Sequence, residues 1–384
     1  MSDHAVLAAS AAYRWLACPP SARLEETFPD EQSEYAAEGT HAHALAALLL
    51  IKHYTVMRPS LYKKQLAELE AGKYYSPAML EHVKTYTDFI AESFQSLSNP
   101  VILIEQKVDF SSYAPEGFGT CDCILIGNGT LQVVDLKYGA GVPVSADNNA
   151  QMMLYALGAA QAFDLVYDIE TVQMTICQPR LDSISTFAMP LTDLYVWAES
   201  VVKPIAALAI EGKGEFKPGD HCRFCRAKAV CRGRAEFNLE AAKQEFKRPP
   251  LLADDEIPGI LEIAGLLKEW ATDIESYALE QARDHGKEWA GWKLVEGRAV
   301  RKYSDTDAVA STLMLAGFDE NLLYERTLLG ITAMEKMLGK KKFEDLIGTL
   351  VDKPTGKPVL VPDTDKRPAI SKAAQAALDF KEEN

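Results

Sequence analysis

Thr120-Cys121-Asp122-Cys123-Ile124-Leu125-Ile126-Gly127-Asn128-Gly129-Thr130-Leu131-Gln132-Val133-Val134-Asp135-Leu136-Lys137 is the stretch on which the reading of this chain turns. Two apolar, β-patterned runs flank Asn128-Gly129, the strongest short hairpin signal, because a type I′ turn needs positive φ at both central residues. With those two as the loop, Gly127 faces Thr130, and counting back pairs 126 with 131, 125 with 132, 124 with 133, 123 with 134 and 122 with 135. Asp122 and Asp135 then stand opposite each other with Cβ atoms roughly 5 Å apart, and alternation puts Lys137 on their face. Like charges opposed in an apolar ribbon destabilise it, so a cation between the carboxylates is expected. Mg²⁺ or Mn²⁺ suits such oxygens, with the backbone carbonyl of Leu136 as a further ligand. A metal there activates water and neutralises charge building on a phosphate, with Lys137 orienting the water, so hydrolysis of a phosphodiester is the expected use. The bland alternative is a surface ion pair between Asp135 and Lys137, but aspartate is depleted in strands. The reading depends on the loop, since a three-residue loop would send the aspartates to opposite faces.

The 384 residues are enough for a large core and two domains. No run approaches the ~18 apolar residues of a membrane span, and Met1 to Ala12 lacks the pattern of a secretory signal, so a cytoplasmic protein with no membrane partner is expected. A net charge of −15 argues against a protein that coats nucleic acid, though not against an enzyme with a local basic groove. Arg223, Arg226, Lys228, Arg232 and Arg234 form one such cluster, and Lys340-Lys341-Lys342 reads as a solvated surface.

Along the chain, a largely buried helix follows Gly39, with Thr40 as its N-cap and His41 to Leu50 as its body. Polar helical sequence runs from Ser60 to Leu97, and a strand from Val101 to Val108 precedes the hairpin. Asp147 is placed to cap a helix from Asn148 to about Phe163, strands follow at Thr171 to Gln178 and Ser183 to Met189, and a helix spans Leu191 to Ala209. Helix, antiparallel strands, helix, strand predicts an α+β (mixed α/β) core rather than a doubly wound sheet. Lys247-Arg248-Pro249-Pro250 reads as a boundary region, so residues 1–235 and 236–384 are expected as two domains. In the second, Ile260, Ile263, Leu267, Trp270, Ile274 and Tyr277 repeat at helical spacing. Trp289 to Tyr303 reads as extended, Thr306 to Ala316 and Thr327 to Leu350 as helical with a break near Gly339, and Lys353 to Arg367 as a tail or arm.

Other residues gain meaning only beside the hairpin. His43 is suited to complete a metal shell, and alone would be an ordinary half-buried histidine; His41 is a poorer candidate. Glu105 either faces the same site or makes a salt bridge. Gln151 and Tyr155 share a helix face. Cys222, Cys225 and Cys231 are three thiols in search of a fourth ligand, which Cys18 or His221 can supply: an iron–sulfur cluster takes four cysteines, and zinc takes four or three plus the histidine. Cys121, Cys123 and Cys177 lie in strands and read as core.

Together these residues resemble the PD-(D/E)XK nuclease superfamily in its RecB-like branch, which includes the iron–sulfur exonucleases of CRISPR adaptation, AddB-type nucleases and phage λ exonuclease. The matching pieces are Glu38-Gly39-Thr40-His41-Ala42-His43, Gly119-Thr120-Cys121-Asp122, Asp135-Leu136-Lys137 and Gln151-Met152-Met153-Leu154-Tyr155, within about residues 8–235. The resemblance implies a restriction-endonuclease-like core, with His43, Asp122 and Asp135 on the metal, Lys137 catalytic, and Gln151 and Tyr155 supporting the site and the DNA. It implies that Cys18, Cys222, Cys225 and Cys231 hold a [4Fe–4S] cluster, with Zn²⁺ as the alternative. The remainder resembles the C-terminal part of a phage and prophage branch at Trp292-Lys293-Leu294-Val295-Glu296-Gly297-Arg298, at Gly356 to Pro362, and at Asp365-Lys366-Arg367-Pro368. There is no Walker A sequence for an ATP-driven helicase.

The expected activity is therefore a metal-dependent DNA exonuclease of phage recombination, replication or end processing, located in the host cytoplasm if phage-encoded. Its substrate would be single-stranded or duplex DNA ends. A single-strand annealing protein as partner and a homo-oligomer are both compatible with this reading. The competing reading is a non-catalytic DNA-binding or scaffolding protein with a structural iron–sulfur or zinc site; the intact Asp122, Asp135 and Lys137 speak against it.

Overall fold

Five strands form one sheet in the order β1-β2-β3-β4-β5. They are β1 (Val101–Asp109), β2 (Phe118–Gly127), β3 (Thr130–Leu136), β4 (Thr171–Gln178) and β5 (Ser183–Pro190). The structure, a computed structural model, describes residues 5–29, 34–245, 257–295, 305–316, 319, 323–324 and 329–351. Neighbouring strands are antiparallel except β3 and β4, which run parallel. A parallel pair needs a long crossover, and helix α6 (Ala150–Tyr167) supplies it. The expected mixed α+β architecture is the one observed.

The hairpin register is the one the sequence predicts: Gly127 pairs with Thr130, Ile126 with Leu131, and so on to Cys123 with Val134. Asn128 and Gly129 take φ of +52° and +70°, as a type I′ turn requires. Side-chain alternation then builds two cores. Ile124, Ile126, Leu131 and Val133 pack with α6 in one cluster. Cys123, Leu125, Val134 and Leu136 pack in the other, against α3 (Glu34–Tyr54) and α5 (Pro77–Gln95). Helix α6 comes close to β1: a Cβ on Gly158 would stand 3.0 Å from the Asp109 carbonyl oxygen.

Several local expectations are corrected. Thr40 is not an N-cap: α3 begins at Glu34, and the Thr40 hydroxyl donates to the Ala36 carbonyl inside the helix. Asp147 does not cap α6; Asn149 does, accepting from the Met152 N–H at 3.2 Å, because Asn148 turns left-handed at φ +50° and places Asn149 in extended backbone before the first turn. The helix expected from Leu191 to Ala209 is split into α7 (Leu191–Trp197), a π-turn at Ala198–Val202 and α8 (Lys203–Ile210). Pro204 has no N–H to offer the preceding turn, and the wider π-turn absorbs that loss.

Before α3, α1 (Ala12–Ala17) and α2 (Ser21–Glu25) lie against α8, and α1 also against the short 3₁₀ turn Asp220–Phe224. The chain divides into two compact units, Met1–His285 and Gly286–Asn384. The first includes α9 (Arg232–Glu245), which spans position 235, and α10 (Ile257–His285). On α10 the residues at the expected helical spacing, Ile260, Ile263, Leu267, Trp270 and Tyr277, are half-buried, and Ile274 is exposed.

In the second unit, α11 (Thr306–Leu315) is capped by Asp305, and helices Ile331–Leu338 and Lys340–Ile347 meet at Gly339, whose φ is +77°. Residues 289–295 form no strand. Lys247 to Pro250, residues 296–304, the stretch 353–367 and the motif at 356–368 lie outside the described residues. No described helix is long and apolar enough to cross a membrane.

Candidate metal and catalytic centre

Two linked groups of side chains meet where β1, β2 and β3 face α3 and α6. The first starts at Lys137. Its Nζ lies 3.0 Å from Asp135 Oδ2 and donates to Gln151 Oε1 at 3.0 Å. The Gln151 amide in turn donates to the Tyr155 hydroxyl at 3.2 Å. One helical turn separates Gln151 from Tyr155 on α6, so both reach the sheet from the same helix face. The Asp135 side chain is only 5% exposed, and burial pushes its carboxyl above the ordinary range against the pull of the Lys137 ammonium. Its Oδ2 is buried and, despite the ion pair, receives no well-directed hydrogen bond.

The second group is His43, Glu105 and Asp122. Their ligand atoms all lie within 4.8 Å of one another, the one such metal-ligating set among the described residues. His43 Nδ1 is 3.0 Å from Asp122 Oδ1, and Asp122 Oδ2 accepts the Leu136 N–H at 2.7 Å. Burial lowers the His43 imidazole, but the bond to Asp122 and the charges of Asp122 and Asp135 outweigh it, so the ring holds its proton above the usual range. Glu105 is exposed at the rim, and partial burial together with the Asp122 charge raises its carboxyl to about 6.

The expected face-to-face pairing of Asp122 and Asp135 is not what the structure shows. The ladder stops at Cys123 opposite Val134. The reason is a slip in alternation. Cys121 and Ile124 both belong to the α6-side cluster, while Cys123 lies in the α3-side cluster. Residues of odd separation cannot share a face of a regular strand, so β2 breaks phase at Asp122, and this carboxylate meets His43 from α3. On β1 the same slip falls between Ile104 and Val108. Each aspartate instead faces a different basic side chain: Lys137 Nζ lies 3.0 Å from Asp135 Oδ2 and His43 Nδ1 3.0 Å from Asp122 Oδ1. His41 turns elsewhere, to the Leu69 carbonyl at 3.0 Å.

Sequence reasoning left Glu105 undecided and missed Arg180. Arg180 Nη1 bonds Glu38 Oε2 at 3.1 Å and its guanidinium lies 5.0 Å from the Tyr138 ring centre. Strand alternation carries no signal for either residue, because Arg180 sits in a turn after β4 and Glu105 in a left-handed conformation.

Gly119 gains a physical role. A Cβ there would stand 2.5 Å from Cε1 of Tyr155, so the ring fills the space that the missing side chain leaves. Gly119→Ala is expected to cost about 1–3 kcal/mol through overpacking and to displace Tyr155, and through Gln151, the Lys137 ammonium. Thermal melts measure the first effect and activity the second; a variant as stable and as active as the parent would show that the ring is free to move.

The cysteines gather at the far end of α1. Cys18, at the end of α1, and Cys225 are buried, and Cys222 and Cys231 are half-buried. Burial raises the Cys18 thiol, with the charges of Cys222 and Cys231 adding to it. Burial, then the Glu25 carboxylate, pushes Cys225 up to about 12, with Cys222 and Cys231 again contributing. Cys18 and Cys225 thus each lie near Cys222 and Cys231. His221 lies edge-on to Tyr13, 6.1 Å between ring centres. Glu25 ties this region together, accepting from Arg14 at 2.9 Å and from the Arg226 N–H at 2.9 Å. Cys121, Cys123 and Cys177 are fully buried in the sheet.

Three of the basic residues around the cysteines face carboxylates of α10, while Arg226 and Arg232 are exposed. Arg234 donates to Asp273 of α10 at 2.5 Å, Lys228 pairs with the same carboxylate at 2.9 Å, and Arg223 lies 3.9 Å from Glu269.

Two solved structures show weak likeness to the chain. A protein from Eubacterium rectale, described as a putative exonuclease, is 14% identical, with 59% of this chain and 89% of that chain covered at a TM-score of 0.34. The protein SSO0001 is 14% identical, with 58% and 96% covered at a TM-score of 0.22. A family model matches nearly the whole chain, residues 4–368, and the chain belongs to that family, DUF2800, described as a protein of unknown function.

Proposed function

We propose that the first unit is a divalent-metal-dependent deoxyribonuclease of the PD-(D/E)XK type that hydrolyses DNA from its ends. The observation that carries this reading is the convergence of a three-donor set, His43, Glu105 and Asp122, with a lysine held between Asp135 and Gln151. The donor set is of oxygen and imidazole type, which suits Mg²⁺ or Mn²⁺. Asp135 Oδ2 is buried and meets the Lys137 ammonium at 3.0 Å without a well-directed hydrogen bond. His43, Asp122, Asp135 and the Leu136 carbonyl are the residues proposed to hold it. When bound, the ion supplies a more acidic water and neutralises charge on the phosphate.

The protein's own groups do the rest. Gln151 and Asp135 fix the ammonium of Lys137, a side chain that is 30% exposed and so open to a phosphate or a water. Tyr155 fixes Gln151. Cys18, Cys222, Cys225 and Cys231 are proposed to bind a [4Fe–4S] cluster, with Zn²⁺ as the alternative, because three clustered thiols and one from α1 match the ligand demand of either.

The test is purified protein with Mg²⁺ or Mn²⁺ on end-labelled linear, circular and single-stranded DNA, together with iron content and visible absorption. Expected are loss of linear DNA, protection by chelator, and roughly four iron atoms per chain. Failure to cut any substrate with either cation sinks the nuclease reading. Zinc in place of iron would select the alternative for the cysteines.

A further inference from the structure

We propose that Glu105 is a ligand of the divalent cation beside His43 and Asp122, a proposal that rests on the metal-centre reading above. In the middle of β1, Glu105 takes φ of +52°, a left-handed conformation that a non-glycine residue adopts at a cost. No side-chain hydrogen bond or ion pair among the described residues holds its carboxylate there. The pairing of Ile104 with Cys123 and of Gln106 with Cys121 leaves Glu105 directly across from Asp122. Both strands lose their alternation at this one level, and the result is to bring the Glu105 and Asp122 carboxylates and the His43 ring within 4.8 Å.

A surface glutamate without a role has no need of this arrangement. In a regular strand the side chain would follow Val101 and Leu103, which pack on the α6-side cluster, away from α3 and His43. The left-handed residue breaks that phase. Two carboxylates pointed at each other without a cation repel, and His43 offers one positive charge at most. A divalent ion balances the set, and an acidic ligand on the open rim gives it a way in from solvent. Asp135, already paired with Lys137, does not belong to this three-donor set.

The test measures binding, not turnover. Mn²⁺ is titrated into the full-length chain by calorimetry and by the loss of the free-ion paramagnetic resonance signal, for the parent, Glu105→Gln, Glu105→Gly and Asp122→Asn. Expected is at least a roughly tenfold weaker Mn²⁺ affinity in E105Q, which keeps the shape of the side chain. E105G should lose affinity equally and melt no lower than the parent, because glycine takes a positive φ without strain. Unchanged affinity in E105Q while D122N loses Mn²⁺ overturns the assignment of Glu105 and leaves the metal centre standing. A parent that binds no Mn²⁺ overturns both. An E105G variant that melts far lower than the parent shows that Glu105 is structural, and likewise overturns the assignment.

Discussion

Lys137→Ala is expected to lower metal-dependent DNA hydrolysis by on the order of 10²–10⁴-fold, the usual worth of a positioned polar catalyst. The side chain spans the gap between Asp135 and Gln151 and packs in neither core cluster. Its removal therefore does not open a cavity, and the folded structure should persist. What it leaves behind is Asp135, 5% exposed and without its counter-charge. Burial already raises that carboxyl, and Lys137 is the main force lowering it, so in the variant it rises further. A carboxyl whose folded pKa lies above its unfolded value binds more protons in the folded state, and stability then falls as pH rises through that interval. The melting deficit of K137A should thus be full above the raised pKa and shrink as pH falls toward the unfolded carboxylate value near 3.9. Equal rates in K137A and parent would sink the catalytic assignment, and a pH-independent deficit would sink the electrostatic one.

Asp273→Ala should be the most destabilising single change outside the core clusters. Arg234 has a 5% exposed side chain, and Asp273 neutralises both it and Lys228. Removing the acid strands a buried guanidinium, for which the expected cost is about 3–5 kcal/mol. In a unit of this size that corresponds to a fall of roughly 10 °C in Tm. The double variant Arg234→Met with Asp273→Leu should recover much of the loss, because removing both charges removes the desolvation that neither can bear alone. Calorimetric melts of the two variants decide it; a single variant within about 1 kcal/mol of the parent would place Arg234 in contact with water after all.

These two cases show where the sequence was legible. The hairpin register could be counted from Asn128-Gly129, because one dipeptide dictates two left-handed residues and everything before it follows by pairing. The sequence of strands and helices along the chain followed from periodicity and turn signals, whereas the parallel β3–β4 pairing across α6 did not. The Asp122–Asp135 geometry could not be counted, since it required strict alternation to continue through a level where two strands break it. Glu105 shows why: nothing in an isolated glutamate announces a positive φ, which the surrounding fold imposes. Asn149 displaced Asp147 as a cap for a similar reason, since either residue type suits the role and only the left-handed Asn148 decides between them. In the Arg223 to Arg234 cluster, the counter-charges of Arg223, Lys228 and Arg234 lie on α10, some forty residues later in the chain, where sequence reading could not see them.

Helices α1 and α2 are synthesised long before several of their partners. Trp15 is 1% exposed, Arg23 donates to the Ile210 carbonyl at 2.6 Å, and Glu25 accepts from the Arg226 N–H. At about 5–20 residues per second of synthesis, α1 and α2 leave the ribosome roughly 10–40 s before the segment that covers them. For that interval α1 lacks its packing against α8 and the Asp220–Phe224 turn. The N-terminal helices are thus a natural binding target for chaperones, and slowing translation beyond residue 200 should favour aggregation of this chain more than slowing it near the start.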